Sequence, residues 1–105
     1  MATLKRNEIK RRPTPPGEIL QRIYLDENGY TQAEFATLLA KVTKNKVKES
    51  TMKTRLNSVI NEKRAMTAEF AIYVSEILGT NPKMWLNLQS AVDLWDAKEI
   101  IRKAS

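Results

Sequence analysis

The sequence contains neither cysteine nor histidine in its 105 residues. The first absence rules out a disulfide framework, and the two together remove nearly every ligand set used by zinc and the transition metals. No metal and no cofactor is expected. No apolar run approaches the roughly 20 residues that a membrane-spanning helix needs, and no N-terminal apolar segment of the secretory kind is present. A soluble, cytoplasmic protein with no membrane partner follows. Glycine is scarce, with three residues, and none builds a phosphate-cradling loop. Without His, Cys, such a loop or a recognisable carboxylate pair, little is left from which to build acid-base chemistry at neutral pH. An enzyme is not expected.

What the chain does have is charge, unevenly placed. Residues 41–64, KVTKNKVKESTMKTRLNSVINEKR, hold eight Lys or Arg against two acids, a local +6 that equals the net charge of the whole chain. Residues 1–12 carry five cations and one acid, whereas 13–40 carry one cation and four acids. Such a lopsided molecule presents one face to an anion. A charge run alone is most often a solvated surface, but here it passes into a helical pattern whose outward face is Thr, Asn and Ser. That combination suits a polyanion with readable base edges.

Hydrophobic residues make up 42% of the chain, enough for one core at this length. No segment alternates as a strand does, and five stretches show helical periodicity. Residues 1–12 read as a flexible basic arm, closed off by Pro13, Pro15 and Pro16, and residues 13–105 as the folded domain. Pro16 opens a first helix with Ile19, Leu20, Ile23 and Tyr24 on one face, and Asn28-Gly29 ends it. Thr31-Gln32-Ala33-Glu34 is a capping box for a second helix buried through Phe35, Leu38 and Leu39. Met52, Leu56, Val59 and Ile60 mark a third, with Ser50 or Thr51 as its N-cap. Its outward ridge is then Thr54, Asn57, Ser58 and Asn61, flanked by Lys53 and Arg55. Thr67 caps a fourth helix that Gly79 can stop in the left-handed conformation. Asn81-Pro82 opens a fifth, along which Trp85, Leu88, Val92 and Trp95 recur. Trp85 reads as core. Trp95, with Ile100 and Ile101 beyond it, reads equally as core or as a dimer seam.

Pro16-Gly17-Glu18-Ile19-Leu20, Thr31-Gln32-Ala33-Glu34, Asn61-Glu62-Lys63-Arg64, Trp85-Leu86-Asn87-Leu88-Gln89 and Ala91-Val92-Asp93-Leu94-Trp95 resemble the HigA antitoxins of bacterial toxin-antitoxin modules. The likeness spans residues 11 to about 97. It implies an all-α, lambda-repressor-like helix-turn-helix domain of five helices that forms a homodimer. It also implies binding to double-stranded operator DNA and neutralisation of a HigB-type, mRNA-cleaving toxin. By position it places Gln32 on a phosphate, Lys53, Thr54, Arg55 and Ser58 in the major groove, and Lys63 and Arg64 on the backbone. A helix N-terminus with its first outward turns is what a helix-turn-helix presents to base edges. Arg55 can fork to a guanine and Asn57 can pair with an adenine, while Lys53, Lys63 and Arg64 suit phosphates.

Three departures from the family pattern stand out. Pro15 replaces a His before Pro16-Gly17-Glu18, Glu62 stands where a Gly follows the Asn, and Ala40 stands where the turn between helices two and three brings a Gly. An insertion, KVTKNKVKES at 41–50, separates those helices; it reads as a lysine-rich loop, as extra helical turns, or as an added phosphate clamp. Two further functions fit the composition: a helix-turn-helix transcription regulator without a toxin, and an interaction module that holds a partner through Trp95.

Overall fold

A computed structural model of the chain describes residues 11–104. The basic arm expected over residues 1–12 therefore lies outside the described residues except for Arg11 and Arg12. Five helical segments run in order: α1, Pro16–Ile19 continuing as π-helical Leu20–Leu25; α2, Gln32–Val42; α3, Glu49–Ile60; α4, Ala68–Leu78; and α5, Pro82–Ala104. No strand occurs among the described residues. None of the helices is long and apolar enough to cross a membrane.

Local chemistry sets most helix ends. The Thr31 hydroxyl accepts from the Glu34 amide at 3.0 Å and the Glu34 carboxylate accepts from the Thr31 amide at 2.8 Å, a complete capping box. Thr67 accepts from the Phe70 amide at 3.2 Å. Gly79 closes α4 with φ 71°, and the Asn81 side chain accepts from the Lys83 amide at 2.8 Å to open α5 behind Pro82.

Two expectations change. The first helix does not keep the α period: the Asp26 amide donates to the Gln21 carbonyl, five residues back, at 2.9 Å. Each hydrogen-bonded turn of this segment takes in one more residue. Leu20 and Leu25 are fully buried as a result, while Ile23, expected on the inner face, is 55% exposed. The third helix begins earlier than its hydroxyls suggested. Its N-cap is Lys48, which makes no side-chain cap bond, so Ser50 and Thr51 lie inside the first turn.

One core joins all five helices. Phe35, Leu39, Met52, Leu56, Phe70, Val74 and Trp85 are at most 1% exposed. α2 packs along α3 and α4, α4 along α5, and α1 bridges α3 and α5. Trp85 is buried as expected; its ring centre lies 5.3 Å from that of Tyr24, and its indole N–H donates to the Thr80 hydroxyl at 2.8 Å. That satisfied polar tip lets a large aromatic sit in the core without an orphan donor. At Gly17, a Cβ would overlap the Val59 carbonyl oxygen and lie 2.8 Å from the Ile60 Cα. Its absence lets the start of α1 rest on the end of α3.

Val92 is the last buried residue of α5. Beyond it Trp95 is half-buried, and Leu94 and Ile100 are 57% and 70% exposed.

Candidate nucleic-acid interface

The inward face of α3, Met52, Leu56 and Val59, is locked in the core. Periodicity then turns Ser50, Thr51, Thr54, Asn57, Ser58 and Asn61 outward. With no side-chain cap, the first amides of the helix stay open at its positive end. Ser50, Thr51, Thr54, Arg55, Ser58 and Arg64 line one groove of about 390 Å³. Its lining combines four hydroxyl-bearing residues with two arginines, a set that can both donate to and accept from base edges and can bind phosphate.

The residues singled out from sequence divide into three groups. Thr54, Arg55, Ser58 and Arg64 meet in this groove. Gln32 and Asn57 meet each other: the Asn57 amide donates to Gln32 Oε1 at 3.2 Å, and Gln32 Nε2 donates to Gln21 Oε1 at 3.1 Å. Gln21 in turn donates to Asp26 at 2.7 Å, so a relay of side chains crosses from α1 through α2 to α3. Lys53 and Lys63 are exposed and form no ion pair among the described residues. Ser50 and Thr51 were missed as groove residues because they read as caps. Their spacing from Thr54 and Ser58, three to four residues at each step, was the signal for the shared face.

On its other flank α3 meets α4. Arg55 Nη2 lies 3.3 Å from Glu69 Oε1, and its guanidinium carbon is 5.4 Å from the Phe70 ring centre. The Tyr73 hydroxyl donates to Glu69 Oε2 at 2.9 Å. Those two hydrogen bonds, that from Tyr73 being the larger effect, hold the Glu69 carboxyl below its usual range.

The turn after α3 is closed by a paired set of backbone bonds. The Lys63 amide donates to the Ser58 carbonyl at 2.8 Å and the Glu62 amide to the Val59 carbonyl at 3.2 Å, the Schellman pattern. Its left-handed position is occupied by Glu62, φ 61°, where the family pattern has Gly. Arg12 braces it: Nη1 lies 2.7 Å from Glu62 Oε1, and Nε and Nη2 donate to the two Asp96 carboxylate oxygens, each at 2.9 Å. The start of the described chain, the turn carrying Lys63 and Arg64, and the last helix thus meet at one guanidinium. The Asp96 carboxyl is pulled below its usual range by that hydrogen bond.

Residues 41–50, read from the sequence as an insertion, are divided between three structures. Lys41 and Val42 finish α2, Glu49 and Ser50 begin α3, and residues 43–48 form the connection. Lys44 and Asn45 are both left-handed, φ 57° and 61°. The Thr43 hydroxyl donates to the Ala40 carbonyl at 2.7 Å and accepts from the Val47 amide at 3.2 Å. Val47 packs against the core. The turn is therefore folded around its own hydroxyl, with Lys44, Lys46 and Lys48 outside.

No family model matches the chain. It is 37% identical over 95 residues to the uncharacterized HTH-type transcriptional regulator YbaQ of Escherichia coli, covering 90% of this chain and 75% of that protein. It is 35% identical over 91 residues to the antitoxin HigA-1 of Vibrio cholerae, covering 87% and 76%. Among solved structures it resembles the Pseudomonas aeruginosa antitoxin HigA with the higBA promoter, at 29% identity and a TM-score of 0.73, covering 89% of this chain and 90% of the other.

Proposed function

This chain belongs to the HigA family of helix-turn-helix antitoxins, and on that premise we propose that it binds the operator of its own gene module as an autorepressor and neutralises a HigB-type, mRNA-cleaving toxin. The observation that carries the DNA half is the groove on α3: a hydroxyl ridge with Arg55 and Arg64, standing out from a helix whose opposite face is locked in the core. Thr54, Arg55, Asn57 and Ser58 read base edges. Lys53, Lys63, Arg64 and the α2 end at Gln32 position the protein on phosphates. The Gln32–Asn57 bond fixes the Asn57 amide before DNA arrives, so that less side-chain freedom is lost on binding.

The active form is a homodimer, with two α3 helices in successive major grooves and half-sites roughly 34–36 Å apart. Leu94, exposed beyond the last buried residue of α5, and its half-buried neighbour Trp95 supply apolar area for that contact. No catalytic role is assigned, and the site of action is the cytoplasm.

The DNA reading is tested by the binding of purified protein to the DNA upstream of its own reading frame. Retardation of that fragment that weakens steeply with salt supports it; equal binding to the fragment and to a scrambled duplex would contradict operator recognition. A second reading, a transcription regulator without a toxin, is favoured by the likeness to YbaQ. Co-expression separates the two. Rescue of growth from a toxic neighbouring reading frame supports the antitoxin, and a non-toxic neighbourhood supports the regulator alone.

A further inference from the structure

Arg55 is held on two sides before any ligand is present. Its guanidinium stacks over Phe70 at 5.4 Å, and Nη2 donates to Glu69 at 3.3 Å. Glu69 is itself fixed, because its second oxygen accepts from Tyr73 one turn further along α4 at 2.9 Å. The Arg55 side chain retains 21% of its exposure and that of Glu69 62%, so the arginine, which lines the groove, is tied to an acid that stands in solvent. These bonds keep the carboxyl ionised down to lower pH than an ordinary glutamate.

A free surface arginine reaches whichever phosphate is nearest and adds affinity for any sequence. One tethered by a carboxylate and an aromatic face reaches the backbone only by giving up both contacts. Its remaining donors, of the five a guanidinium carries, reward only an acceptor that arrives where they point. The exposed acid also meets the polyanion unfavourably, at a cost common to all sequences. The tether raises the ratio of specific to non-specific binding, and the repulsion lowers the absolute affinity for every duplex alike.

We propose that Glu69 is a specificity-determining positioning residue, which sets how Arg55 meets DNA and penalises duplexes that give Arg55 no base-edge partner. This rests on the DNA-binding reading above. Glu69 itself is assigned no base contact, since each of its oxygens is already turned to a protein donor, one to Arg55 and the other to Tyr73.

The test measures fluorescence anisotropy of the full chain, as parent, Glu69→Gln, Glu69→Asp and Tyr73→Phe, on the duplex upstream of its reading frame and on a scrambled duplex. Thermal melting establishes that each variant is folded. Glu69→Gln is expected to bind the scrambled duplex several-fold more tightly and to lower the specific-to-scrambled ratio roughly tenfold, the scale of one guanidinium–base contact. Glu69→Asp keeps the charge but shortens the reach; it is expected to lower the ratio without tightening scrambled binding. Tyr73→Phe is expected to lower the ratio by less. An unchanged ratio in Glu69→Gln, whether both affinities rise together or neither moves, would overturn the proposal. A parent protein that binds neither duplex would overturn the DNA-binding reading itself, and the proposal with it.

Discussion

Lys44 and Asn45 before α3, and Glu62 after it, all occupy the left-handed region that glycine enters without penalty. The turns they belong to are nevertheless held by different means. The first is closed from within: the Thr43 hydroxyl spans it, Val47 pins it to the core, and its lysines face outward. The second is closed by its own backbone bonds but braced from far away, by an arginine whose other partner, Asp96, lies 84 residues along the chain. A turn that folds on itself can be lengthened or recharged with little consequence for the rest of the molecule. A turn clasped by both ends of the fold places its cations, Lys63 and Arg64, relative to everything else. On this account the second turn anchors DNA, and the first is a spacer that carries charge.

The largest expected effect strikes the second turn from below. Gly17→Ala puts a methyl group into the Val59 carbonyl and must push the end of α3 away from α1. A loss of about 3 kcal/mol is expected in denaturant unfolding; unchanged stability would mean the two helices do not approach so closely. Next comes charge. Lys63→Ala with Arg64→Ala should flatten the salt dependence of DNA binding by about 1.8 in log–log slope, roughly 0.9 for each phosphate contact. Lys44→Ala with Lys46→Ala should leave it unchanged. Equal effects from the two pairs would erase the distinction between the turns.

The clasp itself contributes less, since Arg12 and Asp96 are more than one third exposed and water screens them. Arg12→Met is expected to cost no more than about 1 kcal/mol. Because the Asp96 carboxyl is depressed in the folded chain, its share of that stability is complete above the ordinary carboxylate range, near pH ~4, and is lost as pH falls through the folded value. The stability gap between parent and Arg12→Met should therefore close in acid; a gap that widened would place the effect elsewhere. The smallest effect is Glu62→Gly. It relieves a left-handed side chain, worth about 1 kcal/mol, and gives up an exposed ion pair worth less. A net gain of about 0.5 kcal/mol is expected by thermal melting, whereas a net loss would assign Arg12 a larger role.

What was legible in the sequence was whatever acts over three or four residues. Thr31 with Glu34, Thr67, Gly79 and Asn81 with Pro82 set helix ends through their own chemistry, so the five helices, and the inward stripes of α2, α3 and α4, could be read directly. The register of α1 could not, because the π-helical turns at Leu20–Leu25 replace one period by another without any marker residue. The start of α3 was misread since Lys48 supplies no capping side chain, and Ser50 and Thr51 supply two false ones. For the candidate site, Thr54, Arg55, Ser58 and Arg64 could be placed on one face by counting. The Arg55–Glu69 pair, the Gln32–Asn57 bond and the Arg12 clasp join elements distant in sequence. No local pattern announces such contacts; they exist only once the core has set the helices side by side.

The division of labour between α3 and the turn behind it is tested most directly by measuring binding to a panel of operator duplexes, each with one base pair substituted. Arg55→Ala is expected to weaken the parent operator and to abolish preference at one position, a loss of about 1–3 kcal/mol of discrimination there. Lys63→Ala is expected to weaken every duplex by the same factor. Uniform weakening by Arg55→Ala, or a position-specific loss from Lys63→Ala, would contradict the assignment of α3 as the reading element and of Lys63 as its phosphate anchor.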